Sequence, residues 1–109
     1  MAKVSKNLVS KDTEQFIWKS LLEVFRDVKT NDEVEIILND LLTPSEKIML
    51  SKRLAIAFLL MRGKSYVEIS KKLKVSFATI GLVKSAKLRG GRGYNQLLEA
   101  ILKNQKLIF

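Results

Sequence analysis

The chain contains no cysteine and no histidine. That removes disulfides, thiolate chemistry, Cys/His zinc sites and histidine acid–base catalysis together. It has one proline, Pro44, and five glycines, three of which crowd into Arg89-Gly90-Gly91-Arg92-Gly93. Acidic residues are scarce beyond position 40: only Glu46, Glu68 and Glu99. No carboxylate pair suggests acid–base work, so no catalytic residue, metal ligand or cofactor is assigned. The longest apolar run, Leu54–Met61, is too short to span a bilayer, and MAKVSKNLVSKD lacks the apolar segment of a signal peptide. Strand signals, internal repeats and low-complexity stretches are also missing.

What is present is apolar and basic. At 109 residues the chain makes one small domain, 1–109. Apolar residues are 47% of it, high for so short a helical chain, which favours burying some of that surface against a second copy. The net charge of +9 is unevenly placed. Residues 1–40 carry 6 basic and 8 acidic side chains, residues 41–109 carry 14 and 3, and 61–92 carry 9 against Glu68 alone. A phosphate backbone suits such a patch. An anionic membrane is the other polyanion, but it favours one long basic amphipathic helix rather than short capped ones. No membrane partner is expected.

The basic stretch has its own architecture. Ser65 and Glu68 have capping-box spacing, which starts a helix at about Tyr66. Ile69, Leu73, Val75, Ile80 and Val83 follow at helical intervals, interrupted once at Lys74-Val75-Ser76. Ser70 and Ala78 are small where two steeply crossed helices would meet. The pattern over about 65–89 is a helix-turn-helix, whose second helix, about 77–89, would expose Thr79, Lys84, Lys87 and Arg89. An ordinary helical bundle is the plainer alternative.

The remaining elements follow local signals. A first helix runs over about 12–29, with Asp12 as N-cap, and Phe16, Ile17, Leu21, Val24, Phe25 and Val28 make its apolar face. Trp18 and Leu22 widen that face, either for packing within the chain or for a dimer interface. Thr30 and Glu33 start a second helix to about Leu41. Thr43-Pro44-Ser45-Glu46 combines N-cap, first-turn proline and capping box. The helix it opens should run to Arg62 and stop at Gly63, with LAIAFLLM as its buried centre. A last helix, about 94–106, lines up Leu97, Leu98, Ile101 and Leu102, and the tail Leu107–Phe109 is apolar enough to dock on a partner. The expected fold is all-α with six helices.

LLTP-x-E at 41–46, Arg53, LL-x-x-G at 59–63 and S-x-ATI at 76–80 occur in an order that resembles the Trp repressor superfamily. GRGYNQLLEAIL resembles its YerC/YecD-like branch. The similarity covers about 34–102 and, more loosely, the first helix. It implies a six-helix Trp-repressor-like fold, an intertwined homodimer and a DNA-binding regulator with a pseudo-palindromic operator; with no signal peptide or membrane span in view, a cytoplasmic, nucleoid-associated protein is expected. The resemblance also implies that helices over about 12–62 and 94–107 serve dimerisation. In tryptophan-responsive members a threonine of LLTP, an arginine of the long helix and an arginine just after ATI-x help to bind the amino acid. Thr43 and Arg53 match the first two, and the third falls at Leu82. Leucine makes no bidentate ion pair with a carboxylate, so tryptophan is not expected as corepressor. Arg53 would then form a structural salt bridge, or serve a different, uncharged effector together with Thr43 and Leu82.

For DNA, Ser76 would cap the second helix and present backbone N–H groups to a phosphate. Thr79 could hydrogen-bond a base and Phe77 touch a thymine methyl, while Ala78 reads as a packing residue. Lys71, Lys72, Lys74, Lys84, Lys87, Arg89 and Arg92 would meet phosphates. Lys74 sits in the tight turn where glycine is favoured, which should widen or strain it. A helix-turn-helix fold that mediates protein contacts instead of reading DNA is the remaining alternative.

Overall fold

The computed structural model describes residues 9–104. Those residues form six helices and no strand: α1 (Lys11–Arg26), α2 (Asn31–Leu41), α3 (Pro44–Met61), α4 (Tyr66–Leu73), α5 (Phe77–Leu88) and α6 (Arg92–Asn104). The all-α expectation holds. The chain divides into two compact units, Met1–Lys47 and Ile48–Phe109. The apolar tail Leu107–Phe109 and the polar start Met1–Leu8 lie outside the described residues.

In the first unit, helix starts are set by side-chain caps. Ser10, not Asp12, caps α1, its Oγ accepting from the Thr13 amide at 3.2 Å. Asp12 lies one residue inside the helix, with Glu14 in the same first turn, where negative charge meets the free amides of the helix start. The helix ends at Arg26, three residues before the sequence limit. Thr30 caps α2, accepting from the Glu33 amide at 3.2 Å, while the Glu33 carboxylate accepts from the Lys29 amide at 3.4 Å, one residue before the cap. At α3 the box closes fully. Thr43 Oγ1 accepts from the Glu46 amide at 3.1 Å, and the Glu46 carboxylate accepts from the Thr43 amide at 2.9 Å. These bonds to the charged form hold the Glu46 carboxyl below its ordinary range, the Thr43 amide contributing most.

No residue from 9 to 47 is buried. Phe16, Ile17, Trp18, Leu22 and Val24 of α1 are exposed, Phe16 to 71% and Trp18 to 59%. Leu21, Phe25 and Val28 are half-buried, as are Val34, Ile37 and Leu38 of α2.

The second unit carries the core. Ala55–Leu59 of α3 are buried, and Ile56, Ala57, Phe58 and Leu59 join Ile69, Ile80, Val83 and Leu98 in one cluster. Ile56, Ile69 and Ile80 are fully enclosed, each burial stabilising the unit by roughly 1.5–3 kcal/mol. The end of α3 is a Schellman motif. The Lys64 amide donates to the Leu59 carbonyl and the Gly63 amide to the Leu60 carbonyl, both at 3.0 Å, with Gly63 at φ +78°. The glycine corner between α5 and α6 has a stricter requirement. Gly91 has φ +54°, and a Cβ there would lie 2.7 Å from the Lys87 backbone.

Candidate nucleic-acid interface

Helices α4 and α5 form the helix-turn-helix, within one residue of the sequence boundaries. Ser65 Oγ accepts from the Glu68 amide at 3.1 Å and the Glu68 carboxylate accepts from the Ser65 amide at 3.2 Å, a complete capping box. The Ser65 amide is the main cause holding the Glu68 carboxyl below its ordinary range. Glu68 also pairs with Lys64 at 3.9 Å. From 69 to 98 the chain has no carboxylate, so the basic side chains there have no acidic neighbour in sequence.

The turn is held by three bonds. Lys74 takes the left-handed conformation, φ 55° and ψ 54°, and its amide donates to the Ser70 carbonyl at 2.9 Å. It therefore adopts the conformation that glycine favours, and the strain expected of a side chain there is borne out. Ser70 Oγ donates to the Val75 carbonyl at 2.7 Å. Lys52 Nζ reaches the Lys74 carbonyl at 3.4 Å, tying α3 to the turn. Sequence reasoning saw Ser70 only as a small residue and did not single out Lys52.

Helix α5 starts at its Ser76 cap, whose Oγ accepts from the Thr79 amide at 3.1 Å and lies 2.9 Å from the Thr79 hydroxyl. Phe77 is exposed, with one edge on Tyr66. Lys84 Nζ lies over the Tyr66 ring, 5.8 Å from its centroid. Thr79 and Lys87 are half-buried rather than on the outer face. Ala78, assigned to packing from sequence, is exposed. The reason is phase: Ile80 and Val83 point into the core, and Ala78 falls on the opposite side. Ala78, Leu82, Ser85 and Arg89 follow one another at four- and three-residue steps and are all exposed. That ridge was legible from the spacing opposite Ile80 and Val83, but sequence reasoning assigned only Arg89 to it.

The other basic positions are open to solvent. Lys71 and Lys72 on α4, Lys74 in the turn, Arg89 at the end of α5 and Arg92 at the start of α6 are all exposed. Helix dipoles explain part of this placement, since Lys71 and Lys72 lie in the last turn of α4.

The three effector positions are all exposed. Thr43 is occupied by its capping box. Arg53 is exposed and, among the described residues, has no ion-pair partner, so the structural salt bridge expected for it is not there. Leu82 is 71% exposed. Surface hollows on α1 (Lys11, Glu14, Gln15, Trp18) and on α6 (Gln96, Glu99, Ala100, Leu102, Lys103) involve none of the three. No cluster of acidic side chains that could hold a metal occurs among the described residues. No described helix is long and apolar enough to cross a membrane.

An all-α chain with a capped helix-turn-helix in a basic surround belongs to the class of helix-turn-helix proteins. The Trp repressor protein family model matches residues 17–103, and the chain belongs to that family. Among solved structures, a TrpR-like protein from Eubacterium eligens ATCC 27750 is 26% identical with a TM-score of 0.68, over 96% of this chain and 100% of that one. No curated protein matches. Membership makes this a helix-turn-helix protein of a DNA-binding, regulatory family rather than an enzyme family.

Proposed function

We propose that the protein is a homodimeric, sequence-specific DNA-binding regulator that acts as a repressor by occupying a pseudo-palindromic operator without tryptophan. The observation that carries this reading is the geometry of α4 and α5. A cap at each helix start, a left-handed turn residue and the Ser70–Val75 bond hold α5 against α4, and Lys71, Lys72, Lys74, Arg89 and Arg92 of the same stretch are exposed. A fixed second helix in a basic stretch is what major-groove reading requires.

The homodimer is supported by the first unit. Phe16, Ile17, Trp18 and Leu22 are too many large apolar side chains to leave in water on one helix, and a second copy that interlocks α1 would cover them. Independence from tryptophan is supported by Leu82, an uncharged side chain where the resemblance calls for a carboxylate-pairing arginine. A repressor that responds to a different, uncharged ligand is the second reading, suited to the apolar Leu82 side chain.

Selection of binding sites from random duplex DNA by ligand-free protein tests the proposal. An enriched palindrome with half-sites about one helical turn apart supports it. Salt-sensitive binding without enrichment opposes constitutive reading, and enrichment restored by a metabolite pool favours the second reading.

A further inference from the structure

The outer ridge of α5 is unusual for a surface so rich in charge. Ala78, Leu82 and Ser85 stand on it, Gly81 lies half-buried at its edge, and none of the four is ionisable or an amide. The hydrogen-bonding side chains that read bases bidentately, Arg to guanine or Asn and Gln to adenine, do not occur on it before Arg89 at the helix end. Thr79 is half-buried, with its hydroxyl beside Ser76 Oγ. Exposed lysines and arginines instead lie on α4, in the turn and at the start of α6. The exposed basic side chains favour a polyanionic duplex, yet the first two members of the ridge, Ala78 and Leu82, are apolar. The apolar group a major groove offers is the thymine C5-methyl.

We infer that Leu82 is a specificity-determining residue, reading a thymine methyl in each operator half-site by apolar contact, with Ala78 beside it. This rests on the DNA-binding function proposed above and names what its recognition helix discriminates. Lysines and arginines set register and affinity through phosphates, and the Leu82 ridge supplies the preference for thymine at its position.

The test uses the enriched operator and the full chain. Each thymine is replaced in turn by deoxyuridine, which removes the methyl and leaves base pairing intact. Wild-type protein should lose roughly fourfold in affinity at one thymine per half-site, the effect of failing to bury one methyl-sized group. Leu82→Ala, a change at an exposed position that leaves the fold intact, should bind the thymine operator more weakly and show no further loss with deoxyuridine there. Lys72→Ala should weaken binding but keep the deoxyuridine penalty. The inference is overturned if wild type tolerates deoxyuridine everywhere, or if Leu82→Ala keeps the full penalty. It is equally overturned if Leu82→Ala leaves DNA affinity unchanged but alters the sedimentation of free protein, which would assign the ridge to a second copy. Failure of wild type to prefer any duplex is a separate result. It removes DNA reading itself, and the inference with it.

Discussion

The Tyr66 ring meets the Phe77 ring edge-on, with centroids 5.7 Å apart and planes at 89°. The contact joins the first residue of α4 to the first residue of α5. Lys84 lies over the other partner of the pair, Tyr66. An aromatic pair of this geometry stabilises by about 1 kcal/mol beyond its buried area. Phe77→Ala should therefore lower the unfolding free energy by about 1 kcal/mol or slightly more, measured by urea denaturation. Equal stability of the variant and wild type would show that the ring contact does not hold the two helices.

Two glycines should respond in opposite directions to alanine. At Gly81, inside α5, a Cβ meets nothing within 4 Å, so Gly81→Ala should raise stability by about 1 kcal/mol. At Gly91 the Cβ would sit 2.7 Å from the Lys87 backbone and the φ of +54° disfavours any side chain, so Gly91→Ala should destabilise. Thermal melts of the two variants beside wild type decide both.

The capping carboxylates make stability acid-sensitive. Glu46 and Glu68 accept amide hydrogen bonds in the folded chain, which lowers their pKa from the ordinary 4.5. The folded state then binds protons less readily than the unfolded state. Their contribution is complete above pH 4.5 and is lost as pH falls through the lowered folded values. Gln keeps the capping geometry without titrating. The Glu46→Gln/Glu68→Gln protein should show a shallower loss of melting temperature between pH 7 and pH 3 than wild type, with the two curves converging in acid. Parallel curves would contradict this origin.

Tryptophan should leave DNA affinity unchanged, because the uncharged Leu82 offers no counter-ion for its carboxylate. Titration of the amino acid into a fixed protein–duplex mixture checks this, and tighter binding on addition would refute it.

Phosphate contacts should be separable from base contacts. Lys71→Ala and Arg92→Ala, at exposed positions, should weaken operator and random duplex alike. Each should also reduce the slope of log affinity against log salt by about 1. A variant that weakened the operator alone would move its residue to the base-reading group.

Local signals account for what was legible in the sequence. Thr43-Pro44-Ser45-Glu46 and Ser65–Glu68 are closed boxes whose spacing alone specifies the hydrogen bonds, and both helices start as expected. The α1 cap was misplaced because Ser10 and Asp12 are both acceptors within one turn of the start, and only backbone geometry chooses Ser10. Ala78 was misassigned because its small size was taken as a sign of packing, whereas its phase relative to Ile80 and Val83 decides exposure. Arg53 has a long flexible side chain, and sequence separation does not show whether an acidic group stands opposite it. Lys74 shows the converse: the left-handed turn is kept without glycine, held by bonds from Lys52 and Ser70 that come from outside the turn tripeptide.

The central claim is selective reading of duplex DNA by the chain without a ligand. It is tested most directly by the affinity of ligand-free protein for its enriched operator and for a scrambled duplex of equal length and composition, each measured from low to moderate salt. The account predicts that both affinities fall steeply with salt, and that the operator keeps an advantage of at least a thousandfold near physiological salt. Equal affinities for the two duplexes at every salt concentration would contradict it.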